Sequence, residues 1–233
     1  LLAAVSYFFA TQKRETTEAI SWTKLGRTSF LLHGFGVFAV IGVIFYIMLN
    51  QYYEYNYVWS HVSDDLPFRY IFSAFWEGQE GSFLLWMFWH VILGIVLITI
   101  GKKWEAPTLS VLALIRDTMD IPIFNNADYL RLVEGKGLNA LLQNYWMTIH
   151  PPTLFLGFAS TSIPFCYAIA GLWTGEHKAW LKPAMRWALF SAGILGTGIL
   201  MGGAWAYEAL NFGGYWAWDP VENASLVPWL ILV

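Results

Sequence analysis

Between Thr28 and Leu49 the chain carries no Asp, Glu, Lys or Arg. That stretch is as long as the ~20 apolar residues an α-helix needs to cross a bilayer. Further runs of this kind cover Ser82–Ile100, Ile149–Leu172 and Trp187–Gly203, with partial ones at residues 1–10 and 220–233. Backbone groups in lipid must be hydrogen-bonded within their own segment, so runs of this length fold as helices. The expectation is an all-α polytopic membrane protein, one membrane domain built as a bundle of transmembrane helices. With 57% hydrophobic and 12% charged residues and a mean hydropathy of +0.49, the composition excludes an ordinary soluble domain. A net charge of −3 without a basic patch excludes nucleic-acid binding. Cys166, the single cysteine, lies in an apolar run and reads as a packing residue. Leu1 at one end and Ile231-Leu232-Val233 at the other suggest a fragment of something longer.

Basic residues set the orientation. Segments 11–27, 101–106 and 173–186 hold Lys13, Arg14, Lys24, Arg27, Lys102, Lys103, Lys178, Lys182 and Arg186, and are assigned to the cytoplasm. The loop 50–81 and the start of the span at His150 then lie outside. Lys103 and His150 fall on opposite sides, yet the only apolar run between them is Thr108–Ile115, far too short to cross. A span missing near 107–116 is the expectation, with a re-entrant segment as the alternative.

The outer face is dominated by residues 205–229, an amphipathic segment in which Trp205, Trp216, Trp218 and Trp229 are interleaved with Gly213 and Gly214 and with the acids Asp219 and Glu222. Rigid amphipathic rings beside paired glycines suit a large planar apolar ligand. His150-Pro151-Pro152 is placed at the entrance of its span, with the prolines in the first helical turn. His150 is either an interfacial histidine bonded to a loop or an axial ligand of iron. Asp219-Pro220-Val221-Glu222 reads first as a capping box, with both acids shaping the segment. The repeat Ala192, Gly193, Gly196, Gly198, Gly202 reads as close helix packing. His33 and His90 lie within spans, where an ionisable group is a functional suspect. His61 belongs to the outer loop and His177 to a solvated cytoplasmic one. Trp76–Ser82 reads as a turn, with Ser82 as its helix cap.

Gly-Gly-Tyr-Trp-Ala-Trp-Asp-Pro-Val-Glu-Asn-Ala-Ser at 213–225 resembles the tryptophan-rich "WWD" segment of haem-handling membrane proteins. Asp-Pro-Val-Glu-Asn is similar to the CcmF branch, the haem lyase subunit of cytochrome c maturation. Tyr57-Val58-Trp59-Ser60-His61, Glu80-Gly81-Ser82 with Trp86, and Ile149-His150-Pro151-Pro152 agree in order and spacing.

The resemblance implies haem as cofactor and substrate, cradled at the periplasmic face of the bacterial inner membrane by Trp205, Gly213, Gly214, Trp216, Trp218, Asp219, Glu222 and Asn223. It implies His150 as one axial ligand of the haem iron. The implied partners are the haem chaperone CcmE, apocytochrome c with its Cys-x-x-Cys-His site, other maturation subunits and the bilayer. The implied activity is haem attachment, acting by binding and orienting haem. A relay that hands haem on without ligation is the alternative, and a purely structural aromatic belt is a third. Haem propionates need a cation, for which Arg69, Arg116, Arg131 and Lys136 are the outer-face candidates, Arg69 first. A second axial histidine and the ligands of a buried b-haem are expected beyond this end. Gln79 stands where members often carry His, which removes any such role there.

Overall fold

A computed structural model describes residues 1–115 and 134–233. Nine α-helices are found among the described residues, and no strand. They are α1 (Leu2–Gln12), α2 (Glu18–Leu49), α3 (Asn56–His61), α4 (Phe68–Glu77), α5 (Gln79–Ile100), α6 (Glu105–Leu112), α7 (Tyr145–Thr174), α8 (Leu181–Ala209) and α9 (Pro220–Leu232). Four of them, α2, α5, α7 and α8, are long and apolar enough to cross a membrane. The protein is an all-α polytopic membrane protein, as its apolar runs required.

The helices run past the apolar spans at both ends. The polar segment 11–27 is mostly helical, with α1 and α2 separated by 13–17, so Lys24 and Arg27 ride on α2. At 32 residues α2 is about 48 Å long, longer than a hydrocarbon core of ~30 Å. Asn144 starts α7 ahead of its apolar run: its side-chain oxygen accepts from the Trp146 N–H at 2.8 Å. His150 therefore sits in the second turn of α7, and Pro151 and Pro152 lie inside the helix instead of at its first position. Ser82 is likewise not a cap. Gly78 precedes α5, and the Ser82 hydroxyl donates back to the Trp76 carbonyl at 2.7 Å.

The α7–α8 pair forms the closest helix contact near the site. A Cβ added at Gly157 would lie 2.7 Å from the Leu195 Cα, and one at Gly198 would lie 2.8 Å from the Leu154 Cα. Small residues facing backbone in this reciprocal way are how helices associate where lipid removes the hydrophobic driving force.

The two ends of the bundle differ in chemistry. At the basic end Glu176 pairs with Lys103 and, at 4.0 Å, with Arg14. The Arg27 guanidinium donates through Nε and Nη2 to the two oxygens of the buried Glu105, each at 2.6 Å, and the Tyr7 hydroxyl donates to the same carboxylate. This group ties α1, α2 and α6 together. At the aromatic end the Lys136 N–H donates to the Trp59 carbonyl. Lys103 thus lies at the basic end and Lys136 at the aromatic end. The short apolar run 108–115 lies within the described residues: up to Leu112 it belongs to α6, packed against α1 and α7, and Leu114 and Ile115 beyond it are exposed. Residues 116–133, on which the expectation of a further span also bears, lie outside the described residues.

Replacing Arg27 with Ala leaves the buried Glu105 carboxylate without a cation, with only the Tyr7 hydroxyl donating to it. The expected loss is about 2 kcal/mol, below the ~3–5 kcal/mol of a fully buried pair because Arg27 is itself half exposed. Thermal unfolding in detergent should show R27A melting lower, and the double variant R27A/E105Q recovering most of the difference.

Candidate functional site

His150 is oriented from α8. Its Nδ1 lies 2.8 Å from the Gly198 carbonyl oxygen. A carbonyl can only accept, so Nδ1 carries the proton, and the neutral ring keeps the lone pair of Nε2. The imidazole fits there because position 202 has no side chain. A Cβ on Gly202 would stand 2.7 Å from the ring Cε1 and 3.1 Å from Nε2. The small-residue repeat of α8 therefore serves more than helix packing. Gly198 meets α7, Gly202 receives the imidazole, and Gly196 receives the Trp229 indole.

A small cavity of about 90 Å³ joins this imidazole to the tryptophan-rich stretch, with Leu154, Gly202, Trp205, Trp216 and Glu222 among its walls. Trp205 belongs to the last turns of α8 and donates from its indole to the Leu141 carbonyl at 3.3 Å. Trp216 and Trp218 come from the loop between α8 and α9, their rings edge to face at 5.7 Å. Trp218 is exposed, whereas the Nε1 of Trp216 is buried with no hydrogen-bond partner among the described residues. Trp229 stands apart from these three: its Nε1 donates to the Ala192 carbonyl at 3.0 Å, well down α8 from Trp205. The four tryptophans do not form one continuous shelf.

The acids of this stretch are spent on local structure. The Asp219 side chain accepts from the Glu222 N–H at 2.7 Å, and Glu222 reaches back to the N–H groups of Ala217 and Asp219. This is the capping box read from the sequence. The Asn223 amide donates to the Trp218 carbonyl at 2.9 Å, where Trp218 holds φ at +59°. A non-glycine residue in that region stays only where its surroundings fix it. Gly213, at φ +69°, makes the preceding turn, and Tyr207 and Tyr215 stack at 4.4 Å beside it.

The cations are dispersed. Arg69 is exposed, its guanidinium 4.9 Å above its neighbour Tyr70. Lys136 lies by Trp59, and Arg116 and Arg131 are outside the described residues. No group of three or more His, Cys, Asp or Glu able to hold a metal ion occurs among the described residues. His61 is engaged locally, its Nδ1 at 2.8 Å from the Tyr57 carbonyl and its ring tilted against the Tyr57 ring. His33 and His90 line a separate apolar cavity among α1, α2, α5 and the end of α6. His177 is exposed.

Sequence reasoning passed over the Gly198 carbonyl, the gap at Gly202 and the Leu141 carbonyl. Two of these are backbone groups, which leave no trace in residue identity. The third was visible within the small-residue repeat but shared its signal with packing.

Residues 76–233 match the family of the cytochrome c assembly protein. The chain belongs to the cytochrome c assembly protein family. It is 34% identical to the cytochrome c-type biogenesis protein CcmF of Pseudomonas fluorescens over 88% of this chain and 32% of that protein. Against CcmF of Escherichia coli it is 32% identical over 84% of this chain and 32% of that protein. The cytochrome c-type biogenesis protein NrfE of Haemophilus influenzae is 34% identical over 82% and 32%. The likeness to CcmF carried by residues 213–225 is borne out. The chain spans about a third of the length of these curated relatives. No solved structure matches.

Two outcomes test this geometry. Gly202→Ala forces a methyl against the imidazole and is expected to cost about 1–3 kcal/mol of stability, as overpacking typically does, seen as a lower melting point. Gly193→Ala, on the same helix with nothing within 4 Å of an added Cβ, should be neutral or stabilising. Glu77, at the end of α4, has a carboxylate oxygen buried with no hydrogen-bond partner among the described residues. Burial raises its pKa, against the opposing charges of His61 and Lys136. Its stabilising contribution is whole below the unfolded value of ~4.3 and fades as pH rises through the raised folded value. Glu77→Gln should therefore melt higher than the parent near pH 8 and lose that advantage near pH 4.

Proposed function

We propose that this chain is the haem-holding part of a cytochrome c maturation subunit, with His150 as one axial ligand of the haem iron. The observation that carries the reading is that the imidazole of His150, its Nδ1 held by the Gly198 carbonyl, shares one cavity with Trp205 and Trp216. The donor chemistry fits: a metal-bound histidine almost always donates its other ring N–H to a carbonyl or carboxylate, and Gly198 supplies that carbonyl. The cradle fits too, since the ring rests where a side chain at 202 would clash. The enclosed volume of about 90 Å³ is well below the ~300 Å³ of a small-molecule pocket, so this cavity alone would not enclose a porphyrin.

When bound, haem supplies an iron to coordinate and two vinyl groups to join to cysteine thiols. Addition of S–H across a vinyl C=C balances without an oxidant. The residues here would orient: His150 fixes the iron, Trp205, Trp216 and Trp218 present aromatic faces, and the capping box of Asp219 and Glu222 with Asn223 sets the pitch of the loop. Gly213 and Gly214 allow the backbone to turn beside them. Holding vinyl against thiol turns a rare encounter into a proximal one, where the largest gains lie. The propionates would be met by a cation from Arg69, Arg116, Arg131 or Lys136, Arg69 first. The proposed setting is the periplasmic face of the bacterial inner membrane. CcmE would deliver haem, apocytochrome c would receive it, and other maturation subunits would assemble with this one. The names of the similar proteins support cytochrome c biogenesis as the process.

In full-length protein purified with haem, His150→Gly is expected to abolish the Soret absorption of haem at this face and leave any deeper haem in place. Added imidazole should restore it. An unchanged spectrum would refute ligation by His150, and haem binding without covalent cytochrome c on reconstitution would favour a relay over a lyase.

A further inference from the structure

Pro151 and Pro152 sit inside α7, where a helix normally closes its hydrogen bonds from each N–H to the carbonyl four residues earlier. Proline has no N–H to give, so the carbonyls of Met147 and Thr148 lose their partners within the helix. Buried carbonyls left open are costly. Met147 is buried, and its carbonyl does not go unbonded: the Trp76 Nε1–H donates to it at 2.7 Å. One helical step on, the Thr148 hydroxyl meets the Ser73 hydroxyl at 3.3 Å. Trp76 is anchored in turn, since its own carbonyl accepts from Ser82 on α5. The indole occupies the place of the amide that proline removed.

From this geometry we infer that Trp76 is a positioning residue for His150. Its indole N–H replaces the missing Pro151 N–H, and so holds the turn of α7 that carries the imidazole. Gly198 fixes the ring of His150 from α8, and Trp76 fixes its backbone from α4. The arrangement gives the outer α3–α4 layer a direct mechanical link to the residue proposed as iron ligand. The significance for haem rests on the reading of the previous subsection, but the positioning itself belongs to the protein without haem.

The test uses the full-length protein in detergent or nanodiscs and three variants. Trp76→Phe keeps an aromatic ring and removes the donor. Pro151→Ala gives the helix back its own N–H. The third variant combines the two. Amide hydrogen exchange over residues 145–156, measured without haem, should rise on the order of fivefold in W76F, as for loss of one ordinary hydrogen bond. It should return to near the parent value in W76F/P151A, with P151A alone close to the parent. With haem bound, W76F should broaden or shift the Soret band and the double variant should restore it.

Faster exchange in W76F that P151A does not repair would overturn the inference, because the indole would then be acting through packing alone. Unchanged exchange in W76F would overturn it as well. If exchange follows the expected pattern while the spectrum ignores both Trp76 and His150→Gly, the positioning stands and the proposal of haem ligation fails. If His150→Gly abolishes the Soret band while W76F changes neither readout, ligation stands and the positioning fails.

Discussion

The closeness of α7 and α8 underlies everything at the aromatic end. Gly157 and Gly198 let the two backbones approach to a distance that no side chain between them would permit. Only at that separation does the carbonyl of Gly198 come within 2.8 Å of the His150 ring nitrogen. In lipid such contacts gain little from apolar burial, so shape and hydrogen bonding decide them. The same residue that allows the approach also supplies the acceptor. Packing and chemistry are therefore joined at a single position on α8.

Around that contact, neighbouring elements repair one another's departures from regular structure. Proline breaks the ladder of α7, and an indole from α4 closes it. Trp218 holds a left-handed backbone, and Asn223 from the following helix grips its carbonyl. The first turn of α9 is satisfied by its own acids. Each device is a local irregularity with a specific partner. The opposite end is built differently. There, ion pairs such as Arg27–Glu105 and Lys103–Glu176 join helix ends by charge. That contrast separates an end held by electrostatics from an end held by hydrogen bonds to backbone groups.

The tryptophan-rich stretch illustrates why composition overstates a site. Four indoles within residues 205–229 suggest a continuous aromatic surface, yet they occupy three elements. Trp205 lies in the last turns of α8, Trp216 and Trp218 lie on the connecting loop, and Trp229 is carried down the bundle by α9 to meet Ala192. The helical rise alone separates Trp229 from its companions. The two acids, prominent by their letters, are hydrogen-bonded to backbone and hold the loop's shape.

Residue identity by itself determined the helical class and the presence of helices long and apolar enough to cross a membrane, because unpaired backbone groups are excluded from lipid. It also fixed the capping box at Asp219–Glu222, since capping depends on a few adjacent residues. Family membership was legible in short blocks such as 213–225. Tertiary structure alone decided which nitrogen of His150 is protonated, where the Pro151 vacancy is filled, and which tryptophans share a cavity with the imidazole. Those outcomes depend on carbonyl positions and on the space a missing side chain leaves. Both arise from how distant helices meet, which no local pattern records.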